Sequence, residues 1–346
     1  MRQLILHIGC HKTGTTAIQR NLYQQRHALA QLGWRLFTPT NWLGWLNPNG
    51  HANKYVQVSG EGETLQAQLT ARFFADLGRF GGNVIVSAEE ISWLFDEAQI
   101  CQCQQQLAAL FDEITVVIYL RRQDKQLLSH YQQGFRFVDS YAARYFGREL
   151  APLPRYQPYF DDYFDYANKC ELWARYFGLH RLKVRWFERS LLHGQDASCD
   201  FFTVNQLPIS GPFLSANESL SRERILANYF LLNAPFSSVR YQKYLAKKMA
   251  RCPSHSNQKF LPTQAQAQAF YQRYHDANLR LLGRHFSEAE RRAIVPTLND
   301  FSVYPKEPAA DFEQACAQAE AEFAQLKQQS AFLEQLFKLG EGARLW

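Results

Sequence analysis

Short apolar runs separated by helical segments constrain the fold of this chain more than any other feature. The clearest runs are QLILHI at 3–8, NVIVS at 83–87 and ITVVIYL at 114–120, and the last two are rich in β-branched residues. Such runs are typical of strands buried on both faces of a parallel sheet. The segments 34–37 and 182–187 are further candidate strands. Because these strands alternate with helices, the sequence predicts an α/β fold with a central parallel sheet flanked by helices.

The pattern becomes mostly helical after about residue 200. Near the end of the chain, apolar residues in the segment 311–339 recur at spacings of three and four, which predicts one amphipathic helix. Pro305 and Pro308 mark a hinge before it. The favoured interpretation is that this helix packs on its own domain. The alternative is a helix that joins copies of the chain into a homo-oligomer.

Composition excludes several classes of protein. The chain has 346 residues, is 46% hydrophobic and 20% charged, and is therefore expected to bury a globular core. Its apolar runs are far below the roughly 20 residues of a membrane span. A short apolar N-terminus without a cleavage site argues against a signal peptide, so we expect a cytoplasmic protein. The net charge of +6 is dispersed, which argues against nucleic acid as a partner.

The seven cysteines give no sign of a metal site. Cys101 and Cys103 form a Cys-x-Cys pair, but no second pair with zinc-like spacing accompanies it. We expect reduced structural thiols and no bound metal.

The stretch LHIGCHKTGTTAIQ at 6–19 is the most informative part of the sequence. A strand leads into a turn with Gly9 and Gly14, and a helix follows from Thr15. Backbone N–H groups at such a helix start form an anion cradle. Lys12 adds a positive charge, and Thr13, Thr15 and Thr16 add hydroxyl donors. The loop of nucleoside triphosphatases reads GxxxxGK[ST], whereas here the lysine precedes the second glycine. The sequence therefore predicts a phosphate site without the usual lysine–magnesium arrangement.

A second candidate phosphate site follows the run at 114–120. Arg121 leaves the carboxyl end of this strand, where open α/β sheets bind ligands, and Ser129 comes eight residues later. A phosphate between them would receive a guanidinium contact and a hydroxyl donor. Arg122 is the alternative arginine, but its spacing from Ser129 is one residue shorter.

These two motifs resemble those of sulfotransferases that use 3′-phosphoadenosine-5′-phosphosulfate (PAPS). HKTGTT is similar to the family's PK-[ST]-G-[ST]-T loop, with His11 in place of proline, as is common in bacterial carbohydrate-type members. YLRRQDKQLLSHY is similar to the family's 3′-phosphate motif. The resemblance implies that Lys12 contacts the bridging oxygen, that 13–16 hold the 5′ phosphate, and that Arg121 and Ser129 hold the 3′ phosphate. It also implies a carbohydrate-like acceptor and the product 3′-phosphoadenosine-5′-phosphate (PAP).

The resemblance covers most of the chain and suggests a division into parts. We expect a sulfotransferase domain at 1–305, with a nucleotide-binding core at 1–200 and a helical part at 201–305. The segment 251–260 is a candidate for the loop that closes over the nucleotide. The amphipathic helix belongs to a separate C-terminal part at 306–346.

The acceptor hydroxyl needs a base, and three residues are candidates. Glu89 and Glu90 directly follow the run at 83–87, so at least one should face the ligand edge of the sheet. Glu89 is the first choice and Glu90 the second. His51 is the rival because a loop histidine with a pKa near 6.5 suits this role. We expect His11 to line the site.

Two other functions remain open at this point. One is a small-molecule or sugar kinase, which the missing GK[ST] order disfavours. The other is a non-catalytic protein that binds a nucleotide or a glycan. The sequence does not identify the acceptor, because a fold does not determine a substrate.

Overall fold

The computed structural model describes residues 1–39, 51–60, 65–214, 220–251 and 258–342. The chain forms two compact units. The first unit consists of Met1–Gln126, Gln157–Asn217 and Phe270–Asp300. The second unit consists of Leu127–Tyr156, Glu218–Ala269 and Phe301–Trp346.

The strands of the described residues all lie in the first unit. They are β1 (Gln3–His7), β2 (Trp34–Phe37), β3 (Val56–Ser59), β4 (Gln66–Leu69), β5 (Asn83–Ser87), β6 (Glu113–Leu120) and β7 (Leu182–Trp186). Five of them form a parallel sheet in the order β2–β5–β1–β6–β7. In the centre of this sheet, Ile5 of β1 is paired with Ile85 on one side and with Thr115 on the other. The predicted α/β fold with a central parallel sheet is confirmed. The antiparallel pair of β3 and β4 is an addition that the sequence did not predict.

Helices account for most of the remaining described residues. They are α1 (Thr15–Gln24), α2 (Arg26–Gln31), α3 (Ala71–Gly78), α4 (Glu97–Ala108), α5 (Gln123–Gln133), α6 (Tyr141–Phe146), α7 (Tyr159–Phe164), α8 (Tyr166–Phe177), α9 (Ala197–Val204), α10 (Arg222–Asn233), α11 (Val239–Arg251), α12 (Gln264–Gln272), α13 (His275–His285), α14 (Glu288–Leu298), α15 (Phe312–Gln329) and α16 (Ala331–Gly342). A 3₁₀ turn, Glu89–Trp93, directly follows β5.

Apolar packing explains why the strands of the sheet read as continuous apolar runs. On one face, Ile5, Ile85 and Val117 pack with Ile18 of α1 and Phe201 of α9. Neighbouring strand residues that face the other way are also buried. Each strand therefore buries side chains on both faces, which removes the polar alternation of a half-exposed sheet.

The C-terminal segment forms two helices where the sequence predicted one. Ser330 separates α15 from α16, with φ −115° and ψ 10°. The hydroxyl of Tyr241 donates to the carbonyl and contacts the hydroxyl of Ser330 at 2.9 and 2.7 Å. These contacts stabilise the break between the two helices. Phe323 of α15 joins an apolar cluster with Leu231 of α10 and Leu245 of α11, so the segment packs within the second unit.

His7, at the end of β1, is a structural histidine. It is fully buried, and its Nδ1 lies 2.8 Å from the hydroxyl of Ser87. The rings of Tyr119 and Phe201 pack against it. Because burial disfavours the imidazolium ion, the pKa of His7 falls from 6.5 to about 3.

This burial predicts a loss of stability in acid. Between pH 6.5 and about 3 the unfolded chain protonates this histidine and the folded chain does not, so unfolding becomes more favourable as pH falls. We expect a contribution of about 1.4 kcal/mol per pH unit in this window. Urea titrations at pH 7, 6 and 5 should show a shallower pH dependence for His7→Gln than for the wild type. His27→Gln, at an exposed position, is the control and should keep the wild-type slope. Parallel slopes for all three proteins would disprove the assignment.

Three further observations bear on function. None of the helices in the described part of the chain has both the length and the apolar character of a membrane span. Within the same residues, no group of three or more His, Cys, Asp or Glu side chains is arranged to hold a metal ion. The six described cysteines are free thiols.

Candidate active site

The loop between β1 and α1 is bonded to the end of β6. The N–H of Ile8 donates to the carbonyl of Val117 at 3.0 Å, and the N–H of Cys10 donates to that of Tyr119 at 2.8 Å. In return, the N–H of Tyr119 donates to the carbonyl of Gly9. These bonds extend the sheet pairing beyond β1. They place the loop at the carboxyl edge of the sheet, where such folds bind ligands.

Gly14 is the residue at which this loop turns into α1. Its φ of 81° lies in the left-handed region, and its carbonyl accepts the N–H groups of Ala17 and Ile18. A Cβ at this position would lie 2.6 Å from the Cβ of Ala197 and 3.0 Å from the ring of Phe187. Only glycine fits here. The first turn of α1 has no acidic residue, so the positive end of the helix is not neutralised from within. This geometry suits an anion.

Lys12 and the threonines of the loop differ in what they offer a ligand. Lys12 is half-buried and has a positive φ of 63°. The buried hydroxyl of Thr13 donates to the carbonyl of Cys10 at 2.6 Å, so it closes the loop. Thr15 is buried, whereas Thr16 is exposed. Of these three threonines, Thr16 is therefore the one that is open to a ligand.

Arg121 reaches the same loop from the end of β6. Its Nη1 donates to the carbonyl of Lys12 at 3.3 Å, and its guanidinium lies 5.8 Å from the ring centre of Phe187. The hydroxyl of Tyr166 donates to the Arg121 carbonyl at 2.9 Å and fixes the backbone there. Arg121 thus supplies a second cation beside Lys12. Ser129 is half-buried on α5, in the second unit, so its pairing with Arg121 stays a prediction.

Arg122 has a structural role. Its side chain is 2% exposed and forms two hydrogen bonds with Asp124, at 2.7 and 2.9 Å. It also donates to the carbonyl of Thr297 at 2.8 Å. A guanidinium held in this way inside the protein is not the alternative to Arg121 at the ligand edge.

Glu89 lies directly against the phosphate loop. A Cβ at Gly9 would lie 3.1 Å from both the Cα and the Cβ of Glu89. The amide of Gln19, on α1, donates to the Glu89 carboxylate. The carboxylate is therefore oriented by the same helix whose start is the candidate anion site.

Glu90 faces His11. Its Oε1 lies 3.5 Å from Nε2 of His11, and the two side chains are 13% and 7% exposed. On the other side of the ring, Nδ1 of His11 lies 3.0 Å from the hydroxyl of Tyr163. His11 is therefore buried between Glu90 and Tyr163, and the hydroxyl of Ser92 lies 3.4 Å from the same Nδ1. That His11 also lines the ligand site stays a prediction.

The described segment that contains His51 reaches the same edge of the sheet. The N–H of Ala52 donates to the carbonyl of Ser87 at 2.8 Å, and the side-chain oxygen of Asn53 accepts the N–H of Glu90 at 3.4 Å. His51 thus belongs to a segment attached beside both glutamates. Among the residues that the structure describes, Nδ1 of His51 is buried and has no hydrogen-bond partner. Most of the candidate closing loop, 252–257, lies outside the described residues.

Several residues of this site were missed in the sequence. Gln19 could have been found, because it lies one helical turn after Thr15 and shares its face of α1. Tyr163 and Tyr166 had no such signal, since they come from α7 and α8, about 150 residues after the loop in the chain.

Comparisons with known proteins give a distant similarity to solved structures. No family model matches the chain, and no curated protein matches it. Among solved structures, the chain is similar to a sulfotransferase from Alicyclobacillus acidocaldarius, with 13% identity and a TM-score of 0.36. The match covers 83% of this chain and 98% of that protein. At this level the similarity carries no argument about activity, which must come from the residues of the site.

Proposed function

We propose that this chain is an O-sulfotransferase. It transfers a sulfuryl group from PAPS to a hydroxyl of a carbohydrate-like acceptor by in-line displacement. The observation that carries this proposal is the glycine-bounded loop between β1 and α1, which contains Lys12, is bonded to Arg121 and has Glu89 packed against it. The two cations suit a donor with several phosphate charges, and the carboxylate suits an acceptor that loses a proton.

The loop and its neighbours hold the donor. The start of α1 and the backbone N–H groups of 13–16 bind the 5′ phosphate. Arg121, together with Ser129, binds the 3′ phosphate, which distinguishes PAPS from adenosine 5′-phosphosulfate. Lys12 contacts the oxygen that bridges phosphorus and sulfur. No magnesium ion is needed to neutralise the phosphates in this arrangement.

Glu89 accepts the proton of the acceptor hydroxyl. As the acceptor oxygen forms its bond to sulfur, the bond from sulfur to the bridging oxygen breaks, and PAP leaves with that oxygen. Gln19 keeps the Glu89 carboxylate oriented for the proton. Lys12 balances the negative charge that builds up on the bridging oxygen. Positioning and charge stabilisation therefore supply most of the catalysis, as in phosphoryl transfer.

The role of Arg121 predicts a preference between two nucleotides. A charge-assisted hydrogen bond contributes roughly 1.5–3 kcal/mol, which corresponds to roughly 10- to 150-fold in affinity. The wild type should therefore bind PAP more tightly than adenosine 5′-monophosphate by at least this factor, and Arg121→Ala should lose most of the preference. Calorimetric titration measures both affinities. Arg72→Ala, at an exposed arginine on α3, is the matched control and should bind like the wild type. Equal affinity of the wild type for the two nucleotides would overturn the assignment.

A thermal-shift screen tests the proposed donor without knowledge of the acceptor. The ligands are PAP, adenosine 5′-phosphosulfate, and ATP with magnesium. Selective binding stabilises the folded state by mass action, by about 2.7 kcal/mol at a hundred times Kd. We expect the largest increase in Tm with PAP. A larger increase with ATP and magnesium would favour the kinase.

A further inference from the structure

A buried chain of three side chains connects the anion loop to the turn that carries the glutamates. His11 belongs to the loop, next to Lys12. Glu90 belongs to the turn, next to Glu89. One imidazole ring contacts both neighbours, with Nε2 3.5 Å from the Glu90 carboxylate and Nδ1 3.0 Å from the hydroxyl of Tyr163. All three side chains are largely shielded from solvent.

Tyr163 is held firmly enough to fix the orientation of this ring. It is fully buried and stacks on Trp93, with ring centres 3.9 Å apart. Its hydroxyl also accepts the amide of Gln126 at 3.0 Å. The buried ammonium of Lys169 donates to the Tyr163 carbonyl at 2.7 Å and lies 4.0 Å from the centre of its ring. The tyrosine is therefore constrained at its backbone, its ring and its hydroxyl.

His11 and Glu90 are each one residue away from the groups that act on the substrates. A shift of His11 moves Lys12, and a shift of Glu90 moves Glu89. The contact between His11 and Glu90 thus sets the distance between the cation at the leaving oxygen and the carboxylate at the acceptor hydroxyl. Displacements of about 1 Å at such a distance are enough to cost about 10²-fold in rate.

We propose that His11 is a positioning residue. Through its contacts with Tyr163 and Glu90, it fixes the position of the anion loop relative to the 3₁₀ turn that carries Glu89 and Glu90. This inference rests on the proposed sulfuryl transfer. It assigns Glu90 to orientation and leaves Glu89 as the base. In this role His11 acts through its neighbours in the structure.

Two substitutions at His11 separate its two contacts. In His11→Gln the side-chain amide reaches the place of Nε2 and keeps the contact with Glu90. In His11→Asn the amide occupies the place of Nδ1 and keeps only the contact with Tyr163. The assay is the conversion of PAPS to PAP and sulfate, in which water takes the place of the acceptor. We expect a 10- to 100-fold lower turnover for His11→Asn. His11→Gln should stay within about 5-fold of the wild type, and PAP affinity should change little in both. Equal losses in the two variants would overturn the positioning role.

Ring-nitrogen NMR shifts of His11 provide a second test that needs no activity. The shifts should change in Tyr163→Phe and in Glu90→Gln. Tyr55→Phe is the matched control, because it also removes one hydroxyl from a buried tyrosine, whose partner is Asp76. Unchanged ring-nitrogen shifts of His11 in Glu90→Gln would overturn the inference. This test does not depend on whether the His11 variants fold. Failure of the proposed function has a different signature, since the wild type would then neither bind PAP nor cleave PAPS.

Discussion

Glu89→Gln is expected to lower sulfuryl transfer by roughly 10²–10⁴-fold and to leave nucleotide affinity unchanged. Glutamine keeps the size of the side chain and a hydrogen bond to Gln19, but it cannot accept the proton of the acceptor hydroxyl. Glu89 is the first residue of the 3₁₀ turn and packs against the loop proposed to hold the donor, which under this proposal places its carboxylate on the reacting side of the sheet edge. The measurement is turnover at saturating PAPS, with PAP affinity determined by calorimetry.

Two further variants decide whether this loss is specific to Glu89. Glu97→Gln, at an exposed glutamate that pairs with Arg175, should retain wild-type turnover. His51→Ala should mainly raise the KM of the acceptor, since its segment is attached beside the glutamates. An inactive His51→Ala together with a nearly normal Glu89→Gln would transfer the role of base to His51. A large loss in both would mean that one residue positions the acceptor and the other takes the proton.

Lys12→Ala is expected to lower kcat by about 10²–10³-fold, the scale seen when one group that stabilises a developing anion is removed. The charge on the bridging oxygen is greatest in the transition state, so Lys12 acts there more than on the bound donor. The affinity for PAP should fall much less than the rate. Single-turnover kinetics with PAPS separate the two effects, and Lys247→Ala, at an exposed lysine of α11, is the control.

The opposite result for Lys12 has a clear meaning. If Lys12→Ala weakens PAP binding and keeps its turnover at saturation, the lysine only binds the donor. The charge on the leaving oxygen would then be balanced by another group, and Arg121, whose guanidinium donates to the carbonyl of Lys12, is the candidate.

The sheet could be predicted from the sequence because its strands are short, apolar on both faces and separated by helices. The structure shifts their predicted ends by about one residue, as at β1, which ends at His7. The order of the strands could not be predicted, since it depends on contacts between distant parts of the chain. The break at Ser330 could not be predicted either, because its hydrogen-bond partner, Tyr241, lies on another helix.

The candidate site also has features that the sequence could predict and features that it could not. The turn between β1 and α1 could be predicted because its glycines determine the local geometry; that it binds an anion stays a prediction. The side-chain contacts that orient the site could not be predicted, because each joins distant segments of the chain. They are the contacts of Gln19 with Glu89 and of His11 with Tyr163. Local pattern also could not distinguish the roles of Arg121 and Arg122. That difference depends on Asp124 and on the carbonyl of Thr297, which hold Arg122 in the interior.

Transfer of sulfur-35 from labelled PAPS to a panel of hydroxylated carbohydrates tests the central claim most directly. The assay measures labelled acceptor and released PAP together, with and without a magnesium chelator. We expect the two products in equal amounts, and no effect of chelation. PAP binding without transfer to any acceptor would contradict the proposed enzyme and favour a non-catalytic nucleotide-binding protein. Magnesium-dependent phosphorylation of the same sugars from ATP, without sulfur transfer, would contradict it in favour of a kinase.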